Sequence, residues 1–234
     1  MTEQSNNENI RATKGYFDSW QSYQQEVNTD FHELYHNCGA TLDREIHGRV
    51  LDIGSGGIFN YNPTHAQQLV ALDYSIEAID QQQLPENSIL IQGDGTKLPF
   101  RTGSFDTVIM QFLIHHLALH THEQTVQNVT MCLQESSRVL RPGGKLLVVE
   151  SCLPSVLESV ERLLYPLTRR SLKLVEQPMV FQFSTRAFER LVQQQLANPI
   201  TTIPISIGKF ISQFGIRVPG WMSPCQIRLF KVLK

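Results

Sequence analysis

"VLDIGSGGIFN", residues 50–60, reads as a buried strand that runs straight into Gly54, Ser55, Gly56 and Gly57. A buried strand rarely stops on glycines unless other atoms must come close, because glycine has no Cβ to hold them off. In an open, doubly wound sheet, ligands sit beyond the carboxyl ends of the strands, where the strand order reverses. Whether this stretch borders such a crevice depends on whether the chain around it alternates strands with helices.

It does. "QLVALD" (68–73), "SILIQG" (88–93), "FDTVIMQ" (105–111) and "KLLVVES" (145–151) are short, apolar runs. Continuous rather than alternating hydrophobicity suits strands covered on both faces, as in a parallel sheet. The helix before the fifth strand is well signalled. Thr121 and Gln124 have capping-box spacing, Val126, Val129, Leu133 and Leu140 form its stripe, and "RPGG" (141–144) is expected to stop it.

Two further helices are expected past residue 151. "SVLESVERLLYPLTRRSL" (155–172) is amphipathic and reads as broken at Pro166, and "STRAFERLVQQQL" (184–196) has Ser184 as its N-cap. "ITTIPISI" (200–207) and "QIRLFKVLK" (226–234) close the chain as strands. Near the start, Tyr16, Phe17, Trp20 and Tyr23 recur at roughly helical spacing, predicting one or two short helices between Tyr16 and Leu42. The alternation predicts an α/β fold with a right-handed, doubly wound sheet. One domain is expected, with a helical cap over 1–44, a core over 45–152, a helical insertion over 153–198 and terminal strands over 199–234.

The composition narrows the partners. The 234 residues carry a net charge of −2, and the pI is about 6.4, so no excess of Lys or Arg points to a nucleic-acid backbone. No apolar run approaches the ~18–20 residues of a membrane span, so stable membrane insertion is not expected. Cys38, Cys132, Cys152 and Cys225 are scattered, which fits a reducing, cytoplasmic setting. Nothing in the pattern sets a subunit count.

Two ligand classes compete for the glycine turn. A dinucleotide fingerprint needs a small residue where this chain has Phe59, and a helix N-terminus where it has "IFNYNPTHA". Asn62-Pro63 makes that segment a poor helix opening. Asp73 ends the second strand 19 residues beyond Gly54, placed to accept both hydroxyls of a ribose under either reading. Asp94, in "GDGTKLPF" (93–100), favours a nucleoside that is not a dinucleotide. At the tip of the third strand it can accept from an exocyclic amine, with Gly95 keeping the loop close to the base.

"VLDIGSGG", "LVALDYS", "GDGTKLPFRTGSFDTVIMQFLIHHL" and "SSRVLRPGGKLLVVES" together resemble the class I S-adenosylmethionine-dependent methyltransferases, above all the ubiquinone- and menaquinone-biosynthesis subgroup, over residues 45–152. The resemblance implies a Rossmann-like, seven-stranded, mostly parallel sheet with an antiparallel last strand and helices on both faces. It implies S-adenosylmethionine as cofactor and a small-molecule methyl acceptor. Gly54, Ser55 and Gly56 would pass beneath the methionine part, with Asp52 supporting the loop. Asp73 would hold the ribose, Tyr74 would flank the adenine, and Asp94, Gly95 and Thr96 would frame its edge. Gln111 would face the transferred methyl. Ile58 stands where the family usually has a further glycine, which with Pro63 predicts a short or distorted first helix.

His115 and His116 are the candidate bases, weighed against ordinary packing of a short helix, and no catalytic residue follows from the sequence alone. His120 and His122, with that pair, have poor spacing for a metal, and His32 and His36 share only a helix face, so no metal is expected. The aromatic residues 16–23 suit either a lid or a packed helix face. Arg169 and Arg170 suit a solvated helix end. No Asn/Asp-Pro-Pro-aromatic motif follows the fourth strand, which disfavours nucleobase amines as acceptors. Leu157, Val160, Leu163, Leu164, Tyr165, Leu167, Met179, Phe181 and Phe183 predict an apolar cover over a small, partly hydrophobic metabolite. A nucleotide-dependent oxidoreductase and a non-catalytic binding protein are the alternatives.

Overall fold

The computed structural model describes residues 31–76, 79, 84–174, 179–213 and 216–234. Five strands alternate with the first connections: β1 (Arg49–Ile53), β2 (Gln68–Asp73), β3 (Ser88–Gln92), β4 (Phe105–Gln111) and β5 (Leu140–Cys152). The helices are α1 (His32–Leu42), α2 (His122–Val139), α3 (Ser155–Leu174) and α4 (Thr185–Leu196). Later come β6 (Ile200–Ile205), β7 (Phe210–Gln213), β8 (Ile216–Pro219) and β9 (Gln226–Leu233).

Seven strands form one sheet in the order β3-β2-β1-β4-β5-β9-β6, with β9 antiparallel to both neighbours and the β1–β5 pairs parallel. The order reverses between β1 and β4, which places a ligand crevice beyond their carboxyl ends. Helices cover both faces. On one, α2 and α4 bury Met110, Leu133, Val148, Phe188 and Phe230. On the other, α1 buries Leu34, Cys38 and Leu42 against Val50, Ile109, Leu147 and Leu229. The nearly complete burial of β1, β2 and β4 follows from this double cover.

Several expectations shift. The helix predicted through Leu140 ends at Val139, and Leu140 is already extended, so "RPGG" opens the long β5 instead of terminating the helix. A register shift between Phe105 and Thr107 takes up those residues, with Gly143 at φ 79°. Pro166 does not break its helix, and α3 runs unbroken through it. The lost N–H is tolerated because the helix is tied down nearby. Tyr165 Oη donates to the carbonyl of Leu119 at 2.5 Å and lies 2.8 Å from Thr125 Oγ1. The β7–β8 hairpin has no counterpart in the sequence reading. Tyr16, Phe17, Trp20, Tyr23 and the cap up to residue 30 lie outside the described residues, leaving α1 as the described part of that cap.

Between β1 and β2 there is no α-helix, only the 3-10 turn Pro63–His65. Asn62 caps it, its side chain accepting from Thr64 N at 3.1 Å. The short or distorted first helix expected from Ile58 and Pro63 is reduced to this three-residue turn. Its support comes from α1. Gly39 packs so tightly on Asn60 that an added Cβ would run into that carbonyl. Asn60 Nδ2 donates to Tyr35 O at 2.7 Å, and Asn62 N donates to Asp43 Oδ1 at 2.6 Å.

Candidate active site

The glycine turn begins where β1 ends. Gly54 N donates to Leu72 O at 2.7 Å, tying the turn to β2. Gly54, Gly56 and Gly57 have φ of 71°, 54° and 70°, a region costly for residues with a Cβ. At Gly54 the close approach is filled from above, since Leu113 Cδ1 lies 2.7 Å from where a Cβ would stand. Leu113 follows Phe112, whose φ of 52° kinks the chain directly after β4. The buried Ser55 accepts from Gly57 N at 3.3 Å, closing the turn on itself.

Asp52 is 3 % exposed, and its Oδ2 accepts from Tyr61 Oη at 2.6 Å. Its Oδ1 is buried with no hydrogen-bond partner. Burial pushes its carboxyl up to about 7. Tyr61 escaped the sequence reading; an aromatic inside "NYNP" (60–63) gave no motif to flag it.

Asp73 and Asp94 stand at neighbouring strand tips, β2 and β3 being in register from Leu69–Ser88 to Asp73–Gln92. Asp73 Oδ2 accepts from Gly56 N and Oδ1 from Ser75 N, both at 2.9 Å. Burial raises its carboxyl above the usual range, against the opposing pull of the Ser75, Gly56 and Tyr74 amides. One carboxylate therefore reads two motifs at once, fixing the glycine turn while keeping lone pairs for a ligand. Tyr74 is 48 % exposed, a free aromatic face beside it.

Asp94 Oδ1 accepts from Thr96 N at 2.8 Å and Thr96 Oγ1 at 2.7 Å. Thr96 thus orients Asp94, leaving the exposed carboxylate's second oxygen for a ligand. Gly95 sits over Ile53 and Cys132, where a Cβ would come within 2.9 Å of Ile53 Cγ2. The loop is gripped from α2: Glu135 Oε2 accepts from Leu98 N at 2.9 Å, and Arg138 donates to the carbonyls of Phe100 and Leu98. Neither residue was singled out from sequence, because each reads as an ordinary helix-surface charge. Gln111 ends β4, half-buried, beside this rim.

Beyond β4 lies the 3-10 turn Ile114–Leu117. It rests on Glu150 of β5, 2 % exposed, which accepts from Ile114 N at 2.9 Å, Ser151 N at 2.8 Å and His115 Nδ1 at 2.7 Å. Glu150 was missed in the sequence, though an acid at the tip of a rim strand is the signal that could have exposed it. His116 is pushed well below the ordinary imidazole value by burial and by His115, which makes it the poorer base of the pair. Among the described residues, no three His, Cys, Asp or Glu side chains group to hold a metal.

The insertion covers this end only in part as expected. Tyr165, Met179, Phe181 and Phe183 are buried in the core, and Phe181 N donates to His115 O at 3.1 Å. Leu157, Val160, Leu163, Leu164 and Leu167 instead face outward, with Leu163 79 % exposed. The face of α3 turned to the protein carries Glu161, Tyr165 and Thr168.

A seven-stranded sheet in this order, with a glycine turn after β1 and acids closing β2 and following β3, defines a Rossmann-like methyltransferase fold of the S-adenosylmethionine-dependent kind. Residues 51–148 match the family model described as a methyltransferase domain. The chain is 33% identical over 133 residues to the biotin biosynthesis bifunctional protein BioHC of Cellvibrio japonicus, covering 55% of this chain and 24% of that one. It is 32% identical over 112 residues to a demethylmenaquinone methyltransferase of a Mycobacterium species, covering 46% and 43%. The chain thus spans less than half the length of these relatives. A Thermotoga maritima structure, described as an S-adenosylmethionine-dependent methyltransferase and possible histamine N-methyltransferase, shares the fold at a TM-score of 0.62, with 16% identity over 96% of this chain and 99% of that one. The oxidoreductase alternative loses its footing, since the helix that would receive a pyrophosphate after β1 is replaced by a three-residue turn.

Proposed function

We propose that this chain transfers a methyl group from S-adenosylmethionine to a small, partly hydrophobic metabolite by in-line displacement, acting as one domain with the helical insertion at its mouth. When bound, the cofactor supplies a methyl group already activated by its sulfonium centre. The rim residues fit such a group. Asp73 is positioned to accept from the ribose hydroxyls, Tyr74 to stack on the adenine, and Asp94 to accept from the adenine amine, with Gly95 and Thr96 shaping that edge. Gly54, Ser55 and Gly56 would pass beneath the methionine part, with Leu113 closing over Gly54. The orphaned Oδ1 of Asp52 supplies an acceptor under that loop. Gln111 faces the reacting end.

The observation that carries the reading is the pair of acids at adjacent strand tips, one of them already hydrogen-bonded to the glycine turn. Phe112, Leu113 and Leu117, half-buried just after β4, would give the acceptor side apolar surface. Among the described residues, no helix is long and apolar enough to cross a membrane, and the four cysteines are free thiols, which supports a cytoplasmic setting.

Titration calorimetry with S-adenosylmethionine, S-adenosylhomocysteine and NADH tests the cofactor: the first two bind and the third does not. Incubation of a metabolite extract with isotopically labelled methyl donor tests the transfer. A protein that binds none of the three, or binds NADH alone, would remove the reading.

A further inference from the structure

We propose that His115 is the general base of the crevice, accepting the acceptor's proton at Nε2 while Glu150 holds its ring as the positioning residue. The acceptor then belongs to the class whose methylated atom carries a proton, such as a hydroxyl, an ammonium or an acidified C–H. The inference rests on the methyl-transfer reading and deepens it.

The argument begins with Glu150. A carboxylate 2 % exposed is costly unless its lone pairs are used, and here three donors reach it: Ile114 N, Ser151 N and His115 Nδ1. The bond from Ile114 N is enough to anchor the turn after β4, and the bond from Ser151 N is local to β5. The third bond, at 2.7 Å, fixes the imidazole instead. Because both carboxylate oxygens accept, the ring donates at Nδ1 and keeps Nε2 as its acceptor. The His115 side chain retains 15% exposure. Among the described residues, no hydrogen bond engages Nε2, and it is not among the buried polar atoms lacking a partner. Two residues earlier, Leu113 packs over Gly54, so the segment that carries His115 adjoins the turn assigned to the cofactor.

The charges around the ring act in one direction. Burial disfavours the imidazolium, but Glu150, and Glu161 from α3, outweigh it and raise His115 above the ordinary imidazole value. Glu161 is itself raised to about 7 by burial, its backbone partner being Gln182 N at 3.4 Å, with Glu158 beside it. His116, with its ring centroid 4.1 Å away, is the opposing neighbour, and Arg162, Glu123 and His122 are further charged groups between α3 and α2. In the step itself, the proton passes from the acceptor's nucleophilic atom to Nε2. The electron pair this frees becomes the bond to the methyl carbon, and the electrons of the broken C–S bond remain on the departing thioether sulfur. The proton is then released to solvent from the exposed edge of the ring.

The test compares wild type, His115→Gln and Glu150→Gln using labelled S-adenosylmethionine and a metabolite extract, beside calorimetry and NMR titration of the histidines. His115→Gln is expected to lower transfer by about 10²–10⁴-fold while the cofactor still binds with unchanged affinity. In wild type, His115 titrates above the ordinary value, and transfer rises with pH through that same point. Glu150→Gln moves both the NMR titration and the rising limb of transfer to lower pH, which a purely structural role for Glu150 would not do. Transfer by His115→Gln within a few-fold of wild type overturns the base while leaving methyl transfer standing. A His115 titration unmoved by Glu150→Gln overturns the positioning role whatever the turnover. A wild type that binds no S-adenosylmethionine fails the underlying reading, and this one with it.

Discussion

At Asp73, one carboxylate accepts from Gly56 and Ser75 and is also the group assigned to the ribose. Asp73→Ala should therefore weaken S-adenosylmethionine binding by more than a lost contact, since the glycine turn loses its tether too. With each charge-assisted bond contributing about 1.5–3 kcal/mol, affinity should fall at least tenfold in calorimetry. The thermal midpoint should fall only modestly. Asp52 makes a pH prediction. Its carboxyl, raised to about 7, binds its proton more tightly folded than unfolded. That contribution to stability is fully present below the unfolded value, about 3.9, and is lost as the pH climbs through 7. Asp52→Asn, neutral throughout, should gain on wild type between pH 4 and 8 by on the order of 4 kcal/mol. Urea unfolding at pH 5 and pH 8 would show the gap widening. A constant gap would mean Asp52 is already charged when buried.

At the scale of elements, the strands were the readable part. β2 and β4 fall on the residues expected, because apolar runs buried on both faces have few other fates. The Ser184 cap of α4 was equally legible, its side chain accepting from Ala187 N at 3.3 Å. Pro166 misled because propensity weighs a missing N–H without seeing what holds the helix on either side. Leu140 misled because it continues the stripe of α2 while its backbone already belongs to β5. Of the candidate site, Asp73 and Asp94 could be placed at strand tips from position alone. The Glu150–His115 pair could not, as 35 residues of sequence separate partners that only sheet registry brings together. Gly39→Ala belongs to this scale. A methyl group there must push α1 off Asn60, so the variant should lose cofactor affinity without touching the rim. Calorimetry should show that loss alongside a lowered melting temperature. Retained affinity would mean the turn holds its shape unaided.

Across the whole molecule, α3 is amphipathic in the inverted sense, with Val156, Val160, Leu163 and Leu167 outermost at three- and four-residue spacing and Glu161 and Tyr165 toward the protein. The sequence showed the stripe but not its direction, since periodicity fixes a face and leaves open which way it points. Paired Leu163→Glu and Leu167→Glu substitutions should change stability by no more than about 0.5 kcal/mol in urea unfolding, as exposed positions usually do. A larger loss would show that the stripe is covered in solution. The dependence of the glycine turn on α1 has a temporal meaning as well. On the ribosome, residues 32–42 leave the exit tunnel before the turn at 54–67, so the scaffold is made ahead of the part it steadies. The nucleoside end of the crevice can thus take shape early, while the wall that carries Glu150 is still being translated.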